Sequence, residues 1–410
     1  MAQTRSFVII GASLAGAKAA EALRSAGFEG RLTLIGDESE LPYERPPLSK
    51  GYLQGKQPRE TVFVHPREWY DEHEIELLLG TSATAIDRDH RTVTLSDGNT
   101  AAYDALLLAT GSTPRRLPVP GADLDGVLTL RRLGDSERIR ATFESASGVA
   151  FIGGGWIGLE VAAAARGAGV EATVLEADSL PLLRVLGPEI AHVFADLHRD
   201  HGVDLRTNVQ VTEILGEGGR VAGVQLADGT RIEADAVLVG IGASPNTELA
   251  AAAGLDVDNG IVVDAALRTS DSNIYAAGDV ASAFNPVFGK RIRVEHVDNA
   301  RRQPLIAARA MLGEDVAYDR IPYFYSDQYD LSTEYNGYLD PGGYDEVVVR
   351  GDLASRTFVS FWLAEGRVRA AMSANTPGVN RPIQKLVSSG QQADKMRLAD
   401  PDVSLRDLTA

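Results

Sequence analysis

The sequence predicts an α/β protein in which one fold is built twice, with an α+β domain closing the chain. Three observations predict it. A glycine-rich turn, Gly11-Ala12-Ser13-Leu14-Ala15-Gly16, follows the apolar run Phe7-Val8-Ile9-Ile10, and a second, Gly153-Gly154-Gly155-Trp156-Ile157-Gly158, follows Val149-Ala150-Phe151-Ile152. Each turn opens a helical pattern that leads to a second apolar run ending in an acid, Asp37 in the first copy and Glu176 in the second. After about residue 321 the character changes to clustered aromatics and strand-like runs.

The elements follow in order. In the first copy a helix runs from Ala15 to about Ala26 and stops at Gly27. A strand, Arg31-Leu32-Thr33-Leu34-Ile35, then ends at Gly36-Asp37-Glu38. A proline-rich loop covers 41–50, and Ala105-Leu106-Leu107-Leu108-Ala109-Thr110-Gly111 reads as a buried strand entering a tight turn. The pattern then restarts: strand 149–152, helix to about Ala168 with a stop at Gly169, strand 171–176, and a closing strand 236–242 of the same kind as 105–111. The middle segment is an inserted copy of the first fold, and the chain returns to the first copy through Asn273-Ile274-Tyr275-Ala276-Ala277-Gly278-Asp279. The expected domains are 1–113 with 241–321, then 114–240, then 322–410. The last contains strand-like runs at 345–350, 356–363 and 367–373, a helix near 380–389, and a charged surface tail from about 394.

Composition narrows the function. A chain of 410 residues is long enough for two or three domains, and 44% hydrophobic with 24% charged residues is the balance of a globular protein. No apolar run is long enough to span a bilayer and the N-terminus has no signal-peptide pattern, so a cytoplasmic protein is expected. A net charge of −17 argues against nucleic acid and anionic membrane as partners. The absence of cysteine excludes disulfides, thiolate metal sites and cysteine redox relays. No metal site is expected: His192, His198 and His201 fall in one helix and read as ordinary surface residues.

A strand, glycine turn and helix with an acid after the next strand is the Rossmann-like pattern. The helix N-terminus offers free N–H groups and its dipole to a pyrophosphate, and the acid accepts from ribose hydroxyls. Ser13 replaces the middle glycine of the first turn and is small enough to keep the backbone near a phosphate. Glu176 repels the extra phosphate of NADP, which favours NADH; Arg184 is the one nearby cation that reaches toward a phosphate. Two such domains imply two dinucleotides on one chain, between which electrons can pass.

The chain resembles the FAD-dependent ferredoxin reductases of putidaredoxin reductase type, to which apoptosis-inducing factor is related. The residues that carry the resemblance are Pro46-Pro47-Leu48-Ser49-Lys50, Ala109-Thr110-Gly111, Gly153-Gly154-Gly155-Trp156-Ile157-Gly158-Leu159-Glu160, Ala277-Gly278-Asp279 and Tyr325-Ser326-Asp327-Gln328-Tyr329. They run from end to end. The resemblance implies a glutathione-reductase-like architecture: two Rossmann-like dinucleotide-binding domains, the second (NAD) inserted in the first (FAD), and a C-terminal α+β domain. It implies that Gly11, Ser13, Ala15 and Gly16 hold a tightly bound, non-covalent FAD with Asp37 on its ribose, and that Arg45, Lys50, Ala83, Thr110, Gly111, Arg131, Asp279, His296, Val297 and Tyr325 also touch FAD. Tyr325 stands where the family often has tryptophan. For NAD it implies Gly153, Gly155, Trp156, Ile157, Gly158, Glu160, Glu176, Arg184 and Gly242, with Trp156 as an aromatic gate where nicotinamide meets flavin.

Lys50 and Glu160 are the expected catalytic pair. Pro46-Pro47 stiffens the approach to Lys50, whose charge near flavin N5 assists hydride acceptance, and the family places Glu160 as its partner. With no cysteine beside the flavin, electrons from NADH leave singly to an external acceptor. The expected acceptor is a [2Fe–2S] ferredoxin that feeds a haem monooxygenase or Rieske oxygenase. Lys290, Arg291, Arg293, Arg301, Arg302 and Arg309 crowd the segment after Asp279, and Arg301, Arg302 and Arg309 are candidates to dock an acidic ferredoxin. The alternatives are reduction of a quinone or organic radical, and an apoptosis-inducing-factor-like redox sensor. Monomer and homodimer are both open.

Overall fold

Strand Ser6–Ile10 is buried at every position after its first, as a run of β-branched and aromatic side chains covered on both faces must be. In the computed structural model, which describes residues 5–408, it is the centre of a five-stranded parallel sheet ordered Ile274–Ala276, Ala105–Leu108, Ser6–Ile10, Arg31–Gly36, Ile75–Leu79. The second copy repeats it. Gly148–Ile152 is the centre of a parallel sheet ordered Val127–Leu128, Ala236–Val239, Gly148–Ile152, Glu171–Leu175, Asp204–Arg206. In each, the glycine turn follows the central strand and the acid follows the neighbour, the strand-end geometry at which open α/β sheets bind ligands.

The helices after the turns run Leu14–Ser25 and Trp156–Gly167, each ending within a residue of expectation. Both pass close to their own turn. A Cβ on Gly16 would lie 2.0 Å from the Gly11 carbonyl oxygen, and one on Gly158 would lie 2.3 Å from that of Gly153. Only glycine lets the helix approach that near.

The chain divides into two compact units. The first holds residues up to Arg45, Pro58–Thr113 and Ser244–Pro322. The second holds Pro46–Gln57, Pro114–Ala243 and the residues from Tyr323 on. Within the second unit the C-terminal sheet is antiparallel, ordered Tyr323–Gln328, Leu331–Gly337, Arg367–Ala374, Thr357–Ala364, Glu346–Asp352. Its Tyr335, Phe358, Trp362 and Met372 share one apolar core with Phe151, Leu159 and Phe194 of the inserted copy, and the Trp362 indole N–H donates to the Leu186 carbonyl at 3.0 Å. The tail differs from expectation. It forms helix Lys395–Ala399, whose Leu398 is buried, and Leu405 is buried further on. Alternate charged residues face out while these leucines pack inward.

One helix break and one sheet were not legible. Helix Leu183–Asp200 is broken at Gly187 (φ +74) ahead of Pro188, and Val211–Glu217, Arg220–Leu226 and Arg231–Glu233 form a three-stranded antiparallel sheet. Among the described residues no helix is long and apolar enough to cross a membrane.

Candidate active site

In the first unit the glycine turn is open to an anion. The Ser13 side chain makes no cap hydrogen bond and the first turn of helix Leu14–Ser25 contains no acid, so the amides that every helix leaves over at its start have no carboxylate of their own competing for them. Asp37 is exposed just past strand Arg31–Gly36. The turn at Thr110 and Gly111 is pinned by a residue the sequence did not single out, Asn246. Its side-chain amide donates to the Thr110 carbonyl at 2.8 Å, its own carbonyl accepts from Thr110 Oγ1 at 2.8 Å, and its N–H donates to the Gly111 carbonyl at 3.0 Å. Gly278 is held likewise: its N–H donates to Gln303 Oε1 at 2.9 Å, from the buried face of helix Val297–Met311. Asp279, beside it, accepts from the Ser112 hydroxyl at 3.1 Å. His296 is the N-cap of that helix and Val297 its first residue. Arg45 lies 3.9 Å from Glu38 and over the Tyr43 ring, and Ala83 opens strand Ala83–Asp87.

The second unit carries the other turn. Gly155 caps helix Trp156–Gly167, whose first turn again contains no acid. Glu176 folds back on this turn: one carboxylate oxygen accepts from the Gly154 N–H at 2.6 Å and the other from the Asp178 N–H at 2.8 Å. Arg184 is bound bidentately by Asp178, at 2.7 and 3.1 Å, so this nearby cation already has its counter-charge. Gly242, at φ +95, accepts from the Arg115 N–H. Ile157 is exposed, while Trp156 stands edge-on to both Phe194 and Phe324, with centroids at 5.3 and 5.0 Å. The tryptophan joins the helix to the C-terminal sheet.

Lys50 and Glu160 meet in the second unit, Nζ to Oε2 at 2.6 Å. The loop that carries Lys50 is short 3-10 helix Pro46–Ser49, tied down by Ser136 Oγ donating to the Leu48 carbonyl at 2.8 Å and by Tyr52 OH donating to Glu137 at 2.7 Å. Ser49 Oγ donates to Glu160 Oε2 at 2.5 Å and Ser326 Oγ to Glu160 Oε1 at 2.7 Å. The carboxylate therefore has three donors, two of them serines that sequence reasoning missed. Lys50 Nζ also lies 5.6 Å from the centre of the Tyr325 ring, within cation–π range. Arg131 precedes helix Leu133–Phe143, where its N–H donates to Asp135 at 2.9 Å.

One expectation about these residues needs correction. His198 is not a surface residue but fully buried, because it falls on the same face of its helix as Ile190 and Phe194. The three docking candidates each carry an internal carboxylate: Arg301 pairs with Glu44 at 2.5 Å, Arg302 with Asp298 at 3.4 Å and Arg309 with Glu314 at 2.7 Å.

Residues 5–304 match the family described as pyridine nucleotide-disulphide oxidoreductase, and residues 323–409 match a reductase C-terminal domain. The chain belongs to the pyridine nucleotide-disulphide oxidoreductase family. Among members of this family it is 43% identical to rhodocoxin reductase of Rhodococcus erythropolis over 98% of this chain and 93% of that one. It is 40% identical to putidaredoxin reductase of Pseudomonas putida over 98% and 96%. A solved structure of the covalent putidaredoxin reductase–putidaredoxin complex aligns with a TM-score of 0.95 at 39% identity, covering 100% of this chain and 98% of that one. Unlike the disulphide enzymes of the family's description, this chain has no cysteine.

Proposed function

We propose that this protein is an NADH-dependent flavoprotein reductase of a [2Fe–2S] ferredoxin that serves an oxygenase. The observation that carries the reading is the duplicated glycine turn and acid on a chain without cysteine: two dinucleotides are held, and no thiol stands ready to take the electrons. The relatives agree, being named as reductases of rhodocoxin and putidaredoxin.

The residues fit FAD at the first turn, where the helix start lacks a competing acid and Asp37 is free of burial. There Gly11, Ser13, Ala15 and Gly16 would hold the pyrophosphate, with Asp37 on the ribose and Asp279 further along. Bound FAD supplies a two-electron acceptor for the hydride of NADH and a one-electron donor to the ferredoxin. The second turn and Glu176 would bind the adenine half of NADH, and Glu176 would meet the extra phosphate of NADPH with a like charge. We assign Lys50 to the flavin, with Glu160 and its two serines fixing where the ammonium points. The reaction belongs in the cytoplasm, with the NADH pool.

The test is an anaerobic titration of the purified flavoprotein with NADH and NADPH, followed by turnover with [2Fe–2S] ferredoxins and with quinones. Bleaching of the flavin by NADH and faster turnover with a ferredoxin are expected. A protein that NADH does not bleach, or that turns over faster with a quinone, would overturn the reading.

A further inference from the structure

A line of buried hydrogen bonds reaches Glu160 from the far side. The Ser326 hydroxyl, which donates to Glu160 Oε1 at 2.7 Å, itself accepts from Gln328 Nε2 at 3.1 Å. The other end of that amide, Gln328 Oε1, lies 2.8 Å from His198 Nε2. The next contact out is the Tyr329 hydroxyl, 3.4 Å from His198 Nδ1. Ser326, Gln328 and His198 are each no more than 2% exposed.

Every bond in this line has to point the same way. A hydroxyl has one hydrogen, so Ser326 can donate to Glu160 only if Gln328 presents its NH₂ to it. Gln328 does so only if its oxygen faces His198, and that oxygen needs an N–H on His198 Nε2. Burial pushes the His198 imidazole down to about 4, so it is neutral at ordinary pH and one tautomer carries its single N–H. Were the amide reversed, Ser326 would donate to Gln328 and turn a lone pair toward the carboxylate. The line is thus a two-way switch locked in one direction, ending at the acceptor that holds Lys50 at 2.6 Å.

We infer that Gln328 is a positioning residue for the Lys50–Glu160 pair, its amide locked by His198 so that Ser326 donates to Glu160. This rests on the assignment of Lys50 to the flavin. Strand geometry supports the role: Ser326 and Gln328 are two apart in strand Tyr323–Gln328 and so share a face, while Tyr325, just before Ser326, and Asp327, between the two, belong to the opposite face.

The test compares Gln328→Met, Ser326→Ala and Lys50→Met in the FAD-loaded enzyme. It reads the midpoint potential of the bound flavin, its reduction rate at saturating NADH, the Kd for NADH, and Tm. Gln328→Met keeps the length of the side chain and removes the amide; Ser326→Ala removes only the hydroxyl, a smaller change should the first variant fold poorly. If Gln328 positions the pair, both variants slow flavin reduction about tenfold with the Kd for NADH unchanged, and lower the potential by about 30 mV, the equivalent of that factor for a two-electron couple. A purely structural role would lower Tm and leave rate and potential at wild-type values while Lys50→Met moves both; that result overturns the inference alone. If Lys50→Met moves neither, the assignment of Lys50 fails and the inference falls with it.

Discussion

Glu160 holds Lys50 Nζ at 2.6 Å from inside the core, its own side chain 4% exposed against 18% for the lysine. A carboxylate so deep is retained only with its donors in place, and Ser49, Ser326 and Lys50 supply them. Glu160→Gln keeps the volume and leaves Lys50 against a neutral amide. It should cost about 2 kcal/mol of stability, the size of a lost charge-assisted hydrogen bond. It should also slow reduction of the bound flavin by NADH by roughly tenfold or more. Stopped-flow absorbance and thermal melting measure the two effects. An unchanged reduction rate in a variant that melts early would make the pair structural.

Beside Glu176, at the proposed nucleotide site, stands a second acid, Asp178. Asp178 takes both forks of Arg184, a cation that would otherwise be available to a 2′-phosphate bound beside Glu176. Asp178→Asn leaves the backbone N–H that holds Glu176 and removes the charge that occupies Arg184. Binding of 2′-phospho-ADP-ribose relative to ADP-ribose should then improve about threefold to tenfold, an amount in keeping with an exposed ion pair. Calorimetry on the purified protein reads it without turnover. If the ratio stays put in Asp178→Asn, Glu176 alone sets the preference.

Much of this was legible in the sequence because it is local. Period, turn and acid lie within about 30 residues of one another in each βαβ unit, and so both sheets and both helices fall where the pattern puts them. The two serine donors to Glu160 were not legible, since Ser49 and Ser326 come from segments more than a hundred residues away on either side. His198 was misread for a different reason. Its helix is amphipathic, and the positions at intervals of four, Ile190, Phe194 and His198, point one way; counting histidines for metal spacing ignored the face they lie on. Asn246 and Gln303 share a signal that was present but unused, namely polar residues beside glycine turns or on an otherwise apolar helix face.

Ferredoxin docking is expected to show in kinetics with one acceptor and not another. Arg302 and Arg309 remain about half exposed although each is paired, so both can exchange an internal carboxylate for one on an acidic partner. Replacing both with glutamate should raise the KM for a [2Fe–2S] ferredoxin roughly threefold to tenfold, as rim charges do, and steepen no salt dependence with ferricyanide. Rates with ferricyanide should hold. Ferredoxin kinetics that do not move place docking elsewhere on the surface.

Stability should depend on pH through His198. Its ordinary value of 6.5 is pushed down to about 4, first by burial, against a smaller opposing effect of the bond to Gln328. In the folded protein the ring stays neutral to about pH 4, whereas in the unfolded chain it takes a proton below about 6.5. Between these limits the unfolded state binds more protons, so stability falls as pH is lowered through that window and this contribution is flat below it. The full loss is about 3 kcal/mol, at 1.36 kcal/mol for each pH unit of separation. Carboxylates act lower down. Asp271, which burial would raise but bonds from the Asn273 backbone and Arg88 lower on balance, costs stability only below its ordinary value of 3.8. Between about pH 6.5 and about pH 4.5 the melting temperature reports two buried histidines, since burial pushes His296 down to about 4 as well, so in His198→Gln the slope over that range should flatten in part, with the remainder left to His296. An unchanged slope would assign the acid sensitivity to another group.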